Sequence, residues 1–146
     1  MISFDTNVLL YSLNRDCSEY HAARSFFAGL PADPGLVVVC ELVLLELYVL
    51  LRNPAVLKYP LSPADAASTI RSFRENPSWA LIDYPGRRHI MDEVWRLAGQ
   101  PNIGRLVVFE AGLALTLRHH GVTLFATRNT SHFAGFGFSQ VWDPLR

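Results

Sequence analysis

The chain has 146 residues, which is enough for one domain with a sizeable core, and we expect residues 1–146 to form that single domain. Half of the residues are hydrophobic and 12% are aromatic, so the composition excludes a disordered chain. Formal net charge is zero, which gives no general signal for nucleic acid, and no apolar run reaches the roughly 18 residues that cross a bilayer.

The N-terminus and the cysteine count indicate a cytoplasmic protein. The opening residues MISFDTN lack the basic stretch and the cleavage site of a secretory signal. Cys17 and Cys40 are the two cysteines, which suits a reducing compartment, and no Cys/His spacing resembles a zinc site. We therefore expect neither export nor membrane association.

The first half of the chain alternates predicted strands with predicted helices. In chain order, these are a strand over residues 2–4, a helix beginning near Val8, a helix over 19–30 capped by Ser18, a strand over 36–39 and a helix over 40–51. The last of these helices is stopped by Asn53-Pro54.

The second half continues the alternation. In chain order, it has a helix over residues 63–75 capped by Ser62, a strand over 79–82, helices over 87–98 and 105–120, and strands over 123–126 and 141–142. Gly121 ends the longest helix. Strands that alternate with helices predict a layered α/β domain, with a mostly parallel central sheet of four to five strands flanked by helices.

Polar residues follow two of the predicted strands. Asp5 comes directly after the first strand, and Thr127 and Asn129 come after the fourth. Because ligands bind at the carboxyl ends of parallel strands, we expect these positions to converge on one edge of the sheet. The same segment, ATRNTSHF, contains His132, although a lone histidine is more often a surface or hydrogen-bonded residue than a ligand.

Three acidic residues stand alone in apolar runs. Asp5 lies in MISFDTNVLLY, Glu46 in LVLLELYVLL and Glu110 in LVVFEAGLALTL. Each run is expected in the core, where an unpaired carboxylate is destabilising by several kcal/mol, and none of the runs contains a basic partner. A shared divalent metal is an economical explanation, because carboxylate oxygens suit Mg²⁺ or Mn²⁺.

Each acid also has a structural alternative. Asp5 and Asn7 could cap or turn the chain into the first helix. Glu110, one turn into its helix, could interact with the helix dipole. Glu46 lies mid-helix among leucines, which favours a role in the site, whereas Glu41, about 140° away around that helix, belongs to the first turn.

Three segments in order resemble one protein family. They are the opening FDTNVLLY, the central LLELYVLLRNP and the C-terminal FEAGLALTLRHHGVTLFATRNTSHFAGFGFSQVWDP, and they span nearly the whole chain. The chain resembles a PIN domain, and more narrowly a VapC-type toxin ribonuclease of bacterial toxin–antitoxin systems. The resemblance implies a three-layer PIN-like fold and a metal-dependent endoribonuclease that uses Mg²⁺ or Mn²⁺.

The resemblance also implies which residues form an acidic metal pocket. It puts the first acid on Asp5, the second on Glu46, and the third on Glu110, where family members more often have Asp. The fourth falls on His132, in a segment where relatives often read Asn-x-x-Asp-Phe. Loss of one carboxylate should weaken Mg²⁺ binding, and histidine suits Mn²⁺ better.

Three neutral polar residues complete the implied pocket. Thr127 matches a Ser/Thr position, and Thr127, Asn7 and Asn129 would orient water or phosphate. The departures at the third and fourth acids keep an alternative open: a catalytically weakened PIN-like module that binds RNA or a protein partner with little cleavage. A purely structural domain would have to explain three lone acids in apolar runs.

The partners implied by the resemblance are an RNA substrate, with tRNA as one candidate class, a small antitoxin protein and a second copy of the chain. Aromatic residues near the helices after Ser18 and Ser62 exceed what one buried face needs, so we expect an exposed interaction surface there. These residues are Tyr20, Phe26, Phe27, Tyr59 and Phe73. All but one of the 13 basic side chains are arginines, whose planar fork suits phosphates.

Overall fold

A five-stranded parallel sheet organises the protein. The structure, a computed structural model, describes residues 1–83 and 87–146. Its strands in those ranges are β1 (Ile2–Phe4), β2 (Val37–Cys40), β3 (Trp79–Ile82), β4 (Leu124–Ala126) and β5 (Gln140–Trp142). They lie side by side in the order β3-β2-β1-β4-β5, and every neighbouring pair is parallel. The predicted α/β fold and the fifth strand are confirmed.

Helices flank the sheet. Those in the described ranges are α1 (Thr6–Leu13), α2 (Tyr20–Ala28), α3 (Glu41–Leu51), α4 (Pro63–Arg74), α5 (Arg88–Ala98), α6 (Val107–His119) and α7 (Thr130–Phe133). The predicted helices all occur, with ends that differ by one or two residues, while the short helix α7 was not predicted. None of the helices that the structure describes is long and apolar enough to cross a membrane.

Of three residues predicted to cap or end a helix, two are confirmed and one is wrong. Ser62 caps α4, since its hydroxyl accepts a hydrogen bond from the Asp65 N–H at 3.1 Å. Gly121, just beyond α6, has the positive φ of 84° that favours glycine. Ser18 does not cap α2, because its hydroxyl instead donates to the Glu19 carboxylate at 3.0 Å.

The core lies on both faces of the central strands. All four residues of β2 are buried, as parallel strands between two helical layers require. Phe4 of β1 and Phe125 of β4 are fully buried beside them. Among the helices, α1 packs against α2 and α3, and α5 packs against α6.

The prediction of an exposed aromatic surface near α2 and α4 is largely wrong. Phe26, Phe27 and Phe73 are partly buried and pack against the core. The reason is Trp79 at the start of the edge strand β3: its ring stacks on Phe73 at a centroid distance of 5.8 Å and contacts Phe27 at 5.9 Å. Of the predicted group, Tyr59 is the exposed one, at 72%.

Candidate active site

The candidate site lies at the carboxyl ends of two adjacent strands. Phe4 of β1 and Ala126 of β4 are register partners, so Asp5 and Thr127 leave the sheet side by side. The Asp5 N–H donates to the Ala126 carbonyl at 2.9 Å, which extends the pairing by one step. The predicted convergence of these two positions therefore occurs in the structure.

Asp5 is a buried carboxylate held by three donors. Its Oδ1 accepts from the Thr6 N–H at 2.8 Å, which makes it the N-cap of α1. Its Oδ2 accepts from the Thr127 hydroxyl at 2.7 Å and from the Asn7 side-chain amide at 3.1 Å. The side chain thus serves as a helix cap, the alternative considered from sequence, and also faces the site.

The pKa of Asp5 is raised from 3.8 to about 6. The main cause is burial, because the residue is 8% exposed and its charged form loses hydration. Hydrogen bonds from Thr127 and Thr6 oppose the rise in pKa, while the negative charges of Glu46 and Glu110 add to it. The three acids are therefore close enough to repel one another.

Glu46 does not lie in the core, contrary to the expectation from its apolar surroundings. It sits on an exposed face of α3, and its Oε2 accepts a hydrogen bond from the Thr6 hydroxyl at 2.9 Å. Its neighbours Leu45 and Val49 are also exposed, at 65% and 63%. A helix with an apolar sequence can therefore have a solvent-exposed face, and the sequence alone did not show which residues lie on that face.

Glu110 has a partner that its own run did not reveal. The His132 Nδ1 lies 2.6 Å from the Glu110 Oε1, across 22 residues of sequence. The Glu110 side chain is 23% exposed and the His132 side chain 52%. His132 is therefore beside the third predicted acid, where it can neutralise part of that carboxylate's charge when protonated.

The three predicted neutral residues have different positions. Thr127 is fully buried, and its hydroxyl accepts from the Asn129 N–H at 3.0 Å while it donates to Asp5. The Asn7 side-chain oxygen Oδ1 accepts from the Arg128 N–H at 3.4 Å. Thr127 and Asn7 thus orient Asp5, whereas the Asn129 side chain makes no capping bond to α7 and lines the cavity.

A cavity of about 660 Å³ brings the acids together. Asp5, Glu46, Glu110 and Asn129 all line it. The rest of the lining is apolar or glycine: Leu42, Val43, Leu45, Val49, Leu106, Val108, Phe109, Gly112, Leu113 and Phe133. The cavity therefore offers carboxylate and amide oxygens within an apolar wall.

Four apolar residues of this lining were not predicted as part of the site. Leu45 and Val49 of α3 face solvent, as do Leu106 and Phe109 at the start of α6, with exposures from 56% to 73%. The available signal was that each of them lies within four residues of Glu46 or Glu110, which is about one helical turn. We call these four side chains the apolar rim.

The donor set fits a hard cation in its chemistry. Three carboxylates and an amide face one cavity, and Mg²⁺ and Mn²⁺ prefer oxygen ligands. Glu46 is hydrogen-bonded to Thr6, and Glu110 is hydrogen-bonded to His132. Within residues 1–83 and 87–146, no three acidic, histidine or cysteine side chains are close enough together to hold a metal ion as they stand. To bind an ion, the Glu46 and Glu110 carboxylates would have to share or exchange these hydrogen bonds.

Comparison with known proteins identifies the family. No family model matches the chain. Over 145 residues, however, it is 54% identical to ribonuclease VapC24 of Mycobacterium tuberculosis, in an alignment that covers 99% of this chain and 97% of that protein. The chain belongs to the VapC ribonuclease family. This confirms the resemblance of its three segments and the toxin ribonuclease function that they implied.

Solved structures agree with the VapC fold. VapC20 of Mycobacterium tuberculosis, a sarcin–ricin loop cleaving toxin, superposes with a TM-score of 0.69 at 18% identity, covering 93% of this chain and 96% of that one. VapBC2 of Rickettsia felis, solved with a DNA fragment from its promoter, gives a TM-score of 0.60 at 18% identity, covering 98% and 100%. At such low identity these similarities establish the fold.

Proposed function

We propose that this VapC ribonuclease is an endoribonuclease that depends on Mg²⁺ or Mn²⁺, held by Asp5, Glu46 and Glu110. The observation that carries the proposal is Asp5, a buried carboxylate with a raised pKa that opens into a cavity shared with two more acids. RNA is strongly anionic, so three carboxylates would repel it unless a cation intervened. The test is RNA cleavage with and without Mg²⁺ or Mn²⁺ by the wild type and Asp5→Asn.

In this proposal the chain's own residues bind and orient. A bound divalent cation would supply charge stabilisation at the phosphodiester and acidify water. Thr127 and Asn7 fix the Asp5 carboxylate from the same side, through its Oδ2. The Asn129 amide, which lines the cavity, would orient phosphate or water. Among the three acids, Asp5 is the buried one, so its electrostatic interactions are the least screened by water.

A weakened nuclease is the second candidate, and one contact favours it. The 2.6 Å hydrogen bond between His132 and Glu110 competes with any cation for the same carboxylate. Where relatives often have a fourth acid, this chain has an imidazole that can carry positive charge. We therefore expect weaker metal binding than a four-carboxylate pocket would give, and a preference for Mn²⁺ over Mg²⁺.

Replacement of His132 tests this weakening. His132→Asp should free Glu110 from its partner and add a carboxylate, so Mg²⁺ affinity should increase by about tenfold and RNA cleavage should increase with it. Titration calorimetry and a cleavage assay measure both quantities. His132→Asn is the matched control, because it removes the imidazole without adding charge. Equal Mg²⁺ affinity in the wild type and His132→Asp would show that His132 has no influence on the metal pocket.

We also propose three partners in the cytoplasm: RNA, with tRNA as one class to test, a small antitoxin and a second copy of the chain. The apolar rim supports the protein partners, since large apolar side chains exposed together mark interaction surfaces. Exposed arginines, such as Arg87 and Arg88 at the start of α5, would bind the RNA backbone. Residues 1–146 would act as one domain in these interactions.

The homodimer gives a direct prediction. Light scattering at micromolar concentration should give a mass of two chains, with an isologous interface that buries at least about 1,000 Å². Val49→Asp, on the apolar rim, should shift the mass toward one chain. Trp95→Asp is the control, because Trp95 is 63% exposed, as Val49 is, but does not line the cavity. A wild-type mass of one chain would contradict the dimer.

A further inference from the structure

Arg128 contacts three separate elements from the loop between β4 and α7. Its Nη1 lies 2.9 Å from Oε1 of Glu19, which precedes α2. Its Nε lies 3.5 Å from Oδ2 of Asp143, which follows β5. Its Cζ lies 5.6 Å from the centre of the Tyr11 ring on α1, within range of a cation–π interaction. The guanidinium therefore joins the loop to two helices and the C-terminal segment.

These contacts occupy the guanidinium. The Arg128 side chain is 32% exposed, that of Glu19 26% and that of Asp143 8%. The Asp143 Oδ2 is shielded from solvent and accepts no hydrogen bond from the described residues, so its charge is balanced by the nearby Arg128 and by Arg146 at 3.3 Å. Arg146 is 84% exposed and Arg128 32%, so without Arg128 the buried Asp143 carboxylate would depend on a solvent-exposed partner alone.

Two short chains of hydrogen bonds lead to Asp5 from the loop that contains Arg128, one from Arg128 itself and one from Asn129. The Arg128 backbone N–H donates to the Asn7 Oδ1 at 3.4 Å, and the Asn7 Nδ2 donates to the Asp5 Oδ2 at 3.1 Å. The second chain uses the residues before and after Arg128. The Asn129 N–H donates to the Thr127 hydroxyl, and that hydroxyl donates to the same Asp5 oxygen at 2.7 Å. The backbone N–H groups of Arg128 and Asn129 thus bind the two side-chain donors to that oxygen.

We infer that Arg128 is a positioning residue, which fixes the β4–α7 loop against Glu19, Asp143 and Tyr11 so that Asn7 and Thr127 hold the Asp5 carboxylate in its working orientation. The inference rests on the proposed role of Asp5 in the site. It differs from the usual role of an arginine in a ribonuclease, which is to bind an RNA phosphate. Loss of a positioning residue lowers kcat, whereas loss of a phosphate-binding residue raises KM.

Kinetics on a mapped substrate separate these roles. The probe is a hairpin oligoribonucleotide built around the strongest cleavage site found in a mixture of purified tRNA and ribosomal RNA. Arg128→Gln should lower kcat by about tenfold, since a misplacement of about 1 Å in a site costs up to about a hundredfold. KM should stay within about twofold, and its dependence on salt should not change. Arg128→Lys and Glu19→Gln should each lower kcat less, because part of the contact survives.

An arginine elsewhere on the surface provides the control. Arg96→Gln removes an arginine from an exposed ion pair with Glu93 on α5 and should leave kcat unchanged. If Arg128 instead bound a phosphate, Arg128→Gln would raise KM, leave kcat intact and reduce the salt slope of binding by about one. That pattern would overturn the inference.

A second measurement does not depend on cleavage. In EDTA, nitrogen-15 NMR spectra should show shifts of the Asn7 side-chain amide and of the Thr127 and Asn129 amides in Arg128→Gln and in Glu19→Gln, but not in Arg96→Gln. Unchanged amide signals would overturn the inference even if activity fell. If the wild type cleaves no RNA, the proposed function fails and the amide shifts decide the inference alone. If Arg128→Gln does not fold, Glu19→Gln decides it.

Discussion

Asp5→Asn should reduce metal-dependent RNA cleavage by more than about a hundredfold, because loss of an outer-shell partner of a metal ligand already costs about 10–100-fold. Asp5 is the acid whose position the structure fixes most completely, with three donors on its two oxygens. Asparagine keeps the size of the side chain but removes its charge. The cavity would then lack its most buried anion, and the remaining two glutamates are more exposed.

Cleavage should be measured at fixed RNA concentration over a titration of Mg²⁺ and of Mn²⁺, with EDTA as the blank. Thr127→Val should reduce cleavage by a smaller factor, about 10–100-fold, because it removes a donor to Asp5 and leaves the carboxylate in place. Asp33→Asn, on an exposed loop, is the matched control for loss of a carboxylate. Cleavage by Asp5→Asn within tenfold of the wild type would contradict the proposed site.

The sequence was informative wherever a local rule determined the structure. Asp5 and Thr127 were expected at one edge because each follows a strand, and parallel strands end at the same edge. The cap at Ser62 and the helix end at Gly121 depend on a few adjacent residues. Glu46 and Glu110 stood out as lone acids in apolar runs, and the resemblance to VapC proteins implied one pocket with Asp5. The structure brings all three to the same cavity.

The errors concern burial and contacts between distant residues. The apolar character of α3 does not show that Leu45, Glu46 and Val49 face solvent, because an apolar face can be covered either by this chain or by another. The pairing of His132 with Glu110 depends on how α7 lies beside α6, and no local pattern encodes it.

The same limit applies to the loop after β4. Arg128 meets Glu19 and Asp143 across 109 and 15 residues of sequence respectively, in a cluster that exists only once β5 is paired with β4. A single sequence offers no signal for such a cluster beyond the presence of the charged residues. The sequence neighbours of a candidate site acid are therefore easier to predict than the distant residues that fix its position.

The stability of the metal-free protein should fall as pH rises through the pKa of Asp5. A pKa raised from 3.8 to about 6 corresponds to about 3 kcal/mol of unfolding free energy. Between these values the unfolded chain has already lost the Asp5 proton while the folded protein keeps it, so the folded state loses stability with each step in pH. The contribution is complete below pH 4, declines through pH 6 and is absent above about pH 7.

Urea unfolding in EDTA from pH 4 to pH 8 measures this effect as the difference between the wild type and Asp5→Asn. Groups that do not interact with Asp5 titrate equally in both proteins, so the difference reports Asp5 together with its repulsion of the neighbouring acids. Asp5→Asn should gain about 3 kcal/mol relative to the wild type between pH 4 and pH 8. At pH 8, Mn²⁺ should stabilise the wild type by mass action and leave Asp5→Asn unaffected. Parallel pH curves for the two proteins would show that Asp5 is not the desolvated acid on which the proposed site depends.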